Sequence, residues 1–269
     1  MNEARLRRVV AAVDSGRAQA LDGRGVNRSF RLVDGDRHLS VKVHCASRST
    51  DAQLLRIRRI DALLRGIPWY PCLMDAALVG SRLVVIRPFA PGAPPHGALQ
   101  HVGRLVGVLG DLADHGFDPG SEELVGDYAT PWLSGWERER QAVVPVLAGE
   151  RGDLAQAIDE HGAALRAGAA RLTCAKRAMA YHGDLHGRNF IVSSRGQLTV
   201  IDWDEAGFSR RPADVGKALW LSCRRERGDF VLDADAVQDF LARVHARMRL
   251  PYPHAGDLAL LGGSGSFPR

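Results

Sequence analysis

"YHGDLHGRNFIVSSRGQLTVIDWDE", residues 181–205, sets two histidines, four acidic residues and an asparagine around two short apolar runs. The runs "NFIV" and "LTVI" flank the turn-forming "SSRGQ", the pattern of a small β-hairpin. Asp184 lies five residues before Asn189, Asn189 immediately precedes the first run, and Asp202 ends the second. A tight hairpin returns the chain to where it left, so Asn189 and Asp202 are expected at one end of it. Two hard oxygen donors at a hairpin mouth suit Mg²⁺, which takes one or two protein oxygens and completes its octahedron with water and phosphate. Asp184, on the loop beside them, is placed to accept a proton from an incoming hydroxyl. Taken singly, Asp and Asn are ordinary turn residues, and His182 and His186 read as loop braces rather than acids or bases. A plain turn does not require the ordered set His182, Asp184, Asn189 and Asp202 with a hairpin inside it. Asp204 reads either as a second carboxylate near the metal or as a surface group.

Composition narrows what surrounds this stretch. At 269 residues, 45% hydrophobic and 25% charged, the chain is globular and long enough for one large domain or two modest lobes. Cys45, Cys72, Cys174 and Cys223 show no CxxC spacing, so a zinc cluster or disulfide framework is not expected and a reducing cytoplasm is the natural compartment. Leu6, Val9, Val10 and Val13 fall at helical spacing in a basic N-terminal stretch, which reads as an amphipathic helix; no signal peptide or membrane span is expected. The net charge of +5 is uneven: residues 1–111 hold 17 basic and 9 acidic side chains, residues 112–269 hold 19 and 22. With no basic run interleaved with aromatics, nucleic-acid binding is not expected. Only three of the 36 basic residues are lysine, Lys42, Lys176 and Lys217, and only three residues are asparagine, Asn2, Asn27 and Asn189. A general preference for arginine explains the scarcity but not which positions escape it.

The first ninety residues alternate turn signals with short strands. A loop at Asp22 to Asn27 precedes a strand near Phe30 to Val33, an Asp34-Gly35-Asp36 turn and a strand from His38 to His44, in which Leu39, Val41 and Val43 share one face and Ser40, Lys42 and His44 the other. A helix follows, carrying Leu54, Ile57, Ile60 or Asp61, and Leu64, with Thr50 or Asp51 able to cap it. Two more strands surround Gly80-Ser81, and "APGAPP" marks a boundary near residues 87–97. Beyond it the periodicity becomes helical, with apolar stripes at Val102, Leu105, Val106, Leu109 and Leu112, at Leu154, Ile158 and Leu165, and at Val237, Phe240, Leu241 and Val244.

The pattern "HGDLHGRN" followed by "VIDWDEAG" resembles the aminoglycoside phosphotransferase and choline kinase family of small-molecule kinases, whose motif runs His-x-Asp-x₄-Asn and then Ile-Asp-x-x. The resemblance implies an α+β, bilobal protein-kinase-like fold: an N-terminal antiparallel β-sheet lobe that binds nucleotide, expected over residues 1–90, and a mainly helical catalytic and substrate-binding lobe over 91–269. It implies ATP or GTP and Mg²⁺ as cofactors, Asp184 as the catalytic residue, and Asn189 and Asp202 as metal ligands. The segment "FSRRPADVGKAL" is similar to the one in which the family's Asp, here Asp214, braces the catalytic loop from the start of a helix. The N-terminal half supplies a glycine-bearing loop, "DGRGVNRSF", with Gly23, Gly25 and Asn27, and one hairpin later Lys42 for the α- and β-phosphates. Arginine, with its wide fork, substitutes poorly for a compact ammonium there. The family holds that lysine with a glutamate from the next helix, yet residues 44–74 contain none; Asp51 is the best stand-in and Asp61 a poorer one.

Asp214 follows Asp202 by only twelve positions, with no Ala-Pro-Glu, which favours a small-molecule hydroxyl acceptor over a protein. In such a family the acceptor resembles a guest in a cleft of the helical lobe, lined by carboxylates when it is a polyamine antibiotic. Candidates are Glu122, Glu123, Asp127, Asp204 and Glu205, with Tyr128, Trp132 and Trp136 as stacking surfaces, although Trp132 and Trp136 at i,i+4 read first as a helix anchor. The expected activity is antibiotic O-phosphorylation; a metabolic kinase for choline, homoserine or a sugar, and a nucleotide-binding pseudokinase, are the alternatives.

Overall fold

The computed structural model describes residues 3–21, 27–95, 98–118, 125–126, 129–171, 177–210, 212–225 and 231–248. Two compact units emerge, residues 1–95 with 188–202, and residues 96–187 with 203–269.

The first unit is built on a five-stranded antiparallel sheet. Helix α1 (Glu3–Asp14) leads into β1 (Gln19–Ala20), β2 (Arg28–Asp34) and β3 (Arg37–Val43); α2 (Asp51–Leu64) precedes β4 (Asp75–Val79) and β5 (Arg82–Pro88), and the strand order is β1-β2-β3-β5-β4. The period-two pattern of β3 is realised, with Leu39 and Val41 fully buried and Val43 nearly so. These side chains join Phe30, Leu32, Val84 and Ile86 against Leu6, Val9, Val10 and Val13, so the amphipathic N-terminal helix covers one sheet face. On the other face Ile57 of α2 packs on Ala76, Leu83 and Val85. Lys42 lies opposite Val85 in the β3–β5 register, which assigns it to the α2 side. Thr50 caps α2, its hydroxyl accepting the Gln53 N–H at 3.1 Å. Asp61 is buried near the far end of α2, where it accepts the Leu73 N–H at 2.5 Å and pairs with Arg65.

The second unit is mainly helical: α3 (Ala98–Asp114), α4 (Ala129–Glu150), α5 (Gly152–Arg171), α6 (Ala213–Ser222) and α7 (Ala234–Met248). The α3 stripe from Val102 to Leu112 is buried, as its spacing predicts, and Arg247 of α7 ties to Asp111 and Asp114 at 2.9 and 2.7 Å. In α7, Phe240 and Val244 are fully buried while Val237 and Leu241 are half-buried. The expected stripe on α5 is not realised at its start. Leu154, in the first turn, is 40% exposed, and its neighbour Ala155 is buried instead. A three-stranded sheet joins β6 (Val125–Gly126), β7 (Met179–Tyr181) and β10 (Gly207–Ser209), with β10 central, antiparallel to β7 and parallel to β6. Between β7 and β10 the chain forms β8 (Phe190–Val192) and β9 (Leu198–Val200), the hairpin predicted from sequence, whose residues 188–202 cluster with the first unit. No helix among the described residues is long and apolar enough to cross a membrane.

Candidate active site

The loop leaving β7 is held by the first turn of α6. Asp214, 3% exposed, accepts backbone N–H groups from His182 at 2.5 Å and Gly183 at 2.7 Å. Burial pushes its carboxyl above the usual range, against the opposing pull of these two N–H groups. Gly183 has φ +83°, and a Cβ there would lie 2.5 Å from the Glu205 carbonyl oxygen, so the position demands glycine twice over. The His182 ring is fully buried, 4.7 Å from the Trp203 ring, and its Nδ1 accepts the Asp184 N–H at 3.2 Å. A neutral imidazole accepting at Nδ1 carries its proton on Nε2. His182 is a brace, as the sequence suggests.

Asp184 receives two side chains. Lys217 of α6 approaches Oδ1 at 2.8 Å and also donates to the Gly183 carbonyl at 2.8 Å; His186 Nε2 lies 3.3 Å from Oδ2. Burial alone would raise the Asp184 carboxyl, but the hydrogen bonds from His186 and Lys217 and the charge of Lys217 outweigh it and hold the group well below the usual carboxylate range. Asp184 is therefore an ionised carboxylate about one-third exposed, able to take a hydrogen bond from a hydroxyl. Asp214 and Lys217, three residues apart, share one face of α6, so one helix fixes both the backbone and the side chain of the loop.

In the first unit the β8–β9 hairpin brings Asn189 and Asp202 to one end. Ile201 N–H bonds to the Asn189 carbonyl at 2.8 Å, immediately beyond the Phe190–Val200 pair, and Asp202 follows. Asn189 is buried; Asp202 is exposed and adopts φ +67°, a conformation that costs a non-glycine residue energy. The Asp202 carboxylate meets Lys42 Nζ at 2.5 Å.

One expectation needs correction. Lys42 takes Asp202 as its partner, not Asp51. Asp51 is exposed in the first turn of α2, where its charge favours the helix N-terminus, and it forms no ion pair among the described residues. Asp61 is likewise engaged at the other end of the helix. Asn27, the last residue of the expected ligand-binding loop, has a buried side chain whose Oδ1 accepts the Cys45 N–H at 2.9 Å, at the exit of β3. Gly23 and Gly25, together with Glu122, Glu123, Asp127 and Tyr128, lie outside the described residues, and only the helical backbone of Trp132 and Trp136 is described. Asp204 and Glu205 lie in a short 3₁₀ turn after Asp202. Lys217 is the site residue that motif reading passed over. Its signal was available, since it is one of three lysines and stands in the segment with Asp214.

Comparison with known proteins gives this geometry a context. No curated protein sequence matches the chain. Among solved structures, the amicoumacin kinase hAmiN in complex with AMP-PNP, Ca²⁺ and Ami superposes with a TM-score of 0.67 at 16% identity, covering 97% of this chain and 83% of that one. The microcompartment-associated aminopropanol kinase gives 0.61 at 16% identity, covering 98% and 91%. A type VIII aminoglycoside-3'-phosphotransferase gives 0.60 at 17% identity, covering 94% and 98%. These likenesses establish the protein-kinase-like fold, and the sequence profile of the phosphotransferase enzyme family matches residues 17–251. With a braced carboxylate loop, a hairpin ending in Asp202 and a strand lysine paired to it, the chain belongs to the phosphotransferase enzyme family, the small-molecule kinases of protein-kinase-like fold.

Proposed function

We propose that this chain is an ATP-dependent O-phosphotransferase whose acceptor is a hydroxyl of an antibiotic, so that phosphorylation confers resistance in the cytoplasm. The observation that carries the reading is Asp184, kept ionised by Lys217 and His186 on a loop whose backbone is pinned by Asp214. The acceptor oxygen attacks the γ-phosphorus, its proton passes to Asp184, and the bond from phosphorus to the bridging oxygen breaks to release ADP. Asp184 orients the hydroxyl before it takes the proton. Residues 1–90 carry the nucleotide, with Lys42 on its α- and β-phosphates; residues 91–269 carry the acceptor. Asn189 and Asp202 would hold Mg²⁺: both are hard oxygen donors at one hairpin mouth, and the Asp202 carboxylate already binds a cation, the Lys42 ammonium. When bound, Mg²⁺ neutralises charge on the phosphates.

The antibiotic acceptor draws support from two of the neighbours, which are named for amicoumacin and aminoglycoside phosphorylation. A small cationic amino alcohol is the second reading, because the aminopropanol kinase is as similar to this chain as the aminoglycoside enzyme. The test is ADP release with Mg-ATP or Mg-GTP against aminoglycosides, peptide and nucleoside antibiotics, choline, homoserine, amino alcohols and sugars, with Asp184→Ala alongside. Stimulation by an antibiotic, lost in the variant, is expected. Stimulation only by an amino alcohol or sugar overturns the resistance reading, and turnover retained in Asp184→Ala overturns the catalytic assignment.

A further inference from the structure

We infer that Lys217 is a positioning residue for phosphoryl transfer, locking the Asp184 carboxylate and the Gly183 peptide before it in the orientation that meets the acceptor hydroxyl. The inference rests on the role of Asp184 proposed above. Lys217 Nζ lies 2.8 Å from both Asp184 Oδ1 and the Gly183 carbonyl oxygen, so one ammonium fixes the side chain and the peptide of consecutive residues. A tetrahedral ammonium distributes its three donors over such divergent acceptors. A planar guanidinium is bulkier and holds its donors in a fixed fork, so it does not reproduce this placement of one compact ammonium.

The composition points the same way. Arginine replaces lysine at 33 of 36 basic positions, yet the two lysines among the described residues each contact a carboxylate of the candidate site, Lys42 to Asp202 and Lys217 to Asp184. Lys217 is anchored by the helix that carries Asp214, one turn earlier, so its position is set by the element that sets the loop. Oδ1 is thus engaged by a fixed cation, and His186 Nε2 lies 3.3 Å from Oδ2. In the reaction the acceptor proton moves to the Asp184 carboxylate and Lys217 keeps its own proton throughout, so its part is geometric and electrostatic.

The experiment compares wild type, Lys217→Met, Lys217→Arg, Lys217→Ala and Asp184→Asn with any acceptor that stimulates ADP release. For Lys217→Met, kcat is expected to fall on the order of 10²-fold with KM for ATP within about twofold of wild type, the split of a residue acting on the acceptor oxygen's base and not on nucleotide binding. Lys217→Arg is expected to stay well below wild type, and Lys217→Ala to regain turnover with added methylammonium in a saturable manner. Near-wild-type kcat in Lys217→Met overturns the inference. So does a loss in Lys217→Ala that tracks a lowered unfolding temperature and ignores the amine. If Asp184→Asn keeps wild-type turnover, the proposed catalytic reading itself fails; if Asp184→Asn is inactive while Lys217→Met is normal, only the role of Lys217 fails.

Discussion

Replacing Asp214 with alanine tests whether the carboxylate loop is built on one buried acceptor. The change strands two backbone donors, the N–H groups of His182 and Gly183, that now bond Asp214 at 2.5 and 2.7 Å. A buried donor left unsatisfied costs about 1–3 kcal/mol, so the pair loses about 2–6 kcal/mol. Part of this is returned, because Asp214 is itself buried and its carboxyl is pushed upward by that burial, a cost the alanine lacks. A net loss of about 2–4 kcal/mol corresponds to a fall in unfolding temperature of roughly 4–16 °C for a chain of this size. Circular dichroism melts supply that number. Hydrogen exchange supplies the location: the amides of residues 182 and 183 are protected in the wild type and exchange at least an order of magnitude faster in the variant, while those of β3 are unchanged. Asp214→Asn, which keeps one carbonyl acceptor but points an amide at the second N–H, falls between the two. If Asp214→Ala melts within 1 °C of wild type with the 182 and 183 amides still protected, the brace does not exist.

Gly183→Ala combines a positive φ with a Cβ placed 2.5 Å from backbone, so it is expected to yield little folded, active protein; normal expression and turnover would contradict the geometry. Lys42→Ala is expected to raise KM for ATP or lower kcat at least tenfold, measured by ADP release, while leaving the hydrogen-exchange protection of the loop at residues 182–184 intact. Because the Asp184 carboxyl lies below the usual value of about 3.9, the stability it contributes is fully present above about pH 4 and is lost only as pH falls through its folded pKa. A carboxyl-carbon NMR titration, with Asp184→Asn used for assignment, should accordingly show no inflection for this residue between pH 8 and 4. Thr50→Ala removes the α2 cap and is expected to cost about 1 kcal/mol in denaturant melts, with no change in kcat.

The hairpin and the N-terminal sheet were legible because they obey short-range rules: alternation in β3, turn residues at 34–36 and 193–197, and a capping threonine before α2. Strands β7 and β10 were not. Three residues carry no usable period, and their pairing joins Tyr181 to Gly207 across the whole hairpin insertion. The α5 stripe misled because spacing reports which residues share a face but not whether the first turn of a helix is covered. Asp184, Asn189 and Asp202 are candidates by their order in the motif, whereas Asn27 and Asp51 are candidates only by proximity in sequence to one. Their contacts depend on where β3 exits and how α2 starts, which only three-dimensional packing decides. Lys217 was hidden for a related reason: its partner lies 33 positions earlier, and only the docking of α6 under the loop brings the two together.

The scarcity of lysine has a practical side. In most proteins an amine-directed reagent, an activated ester or a reductive methylating agent, scatters over dozens of surface sites and reports nothing in particular. Here the ε-amines number three, and two of them sit in ion pairs with side chains less than one-fifth exposed. Ordinary acylation chemistry thus becomes a selective probe in this chain. Its rate at Lys42 measures how readily the bond to Asp202 opens, and its rate at Lys217 does the same for Asp184. ¹³C-methyl groups placed on the ε-amines would give a three-signal lysine spectrum, two of the signals from the candidate site, against a silent arginine background.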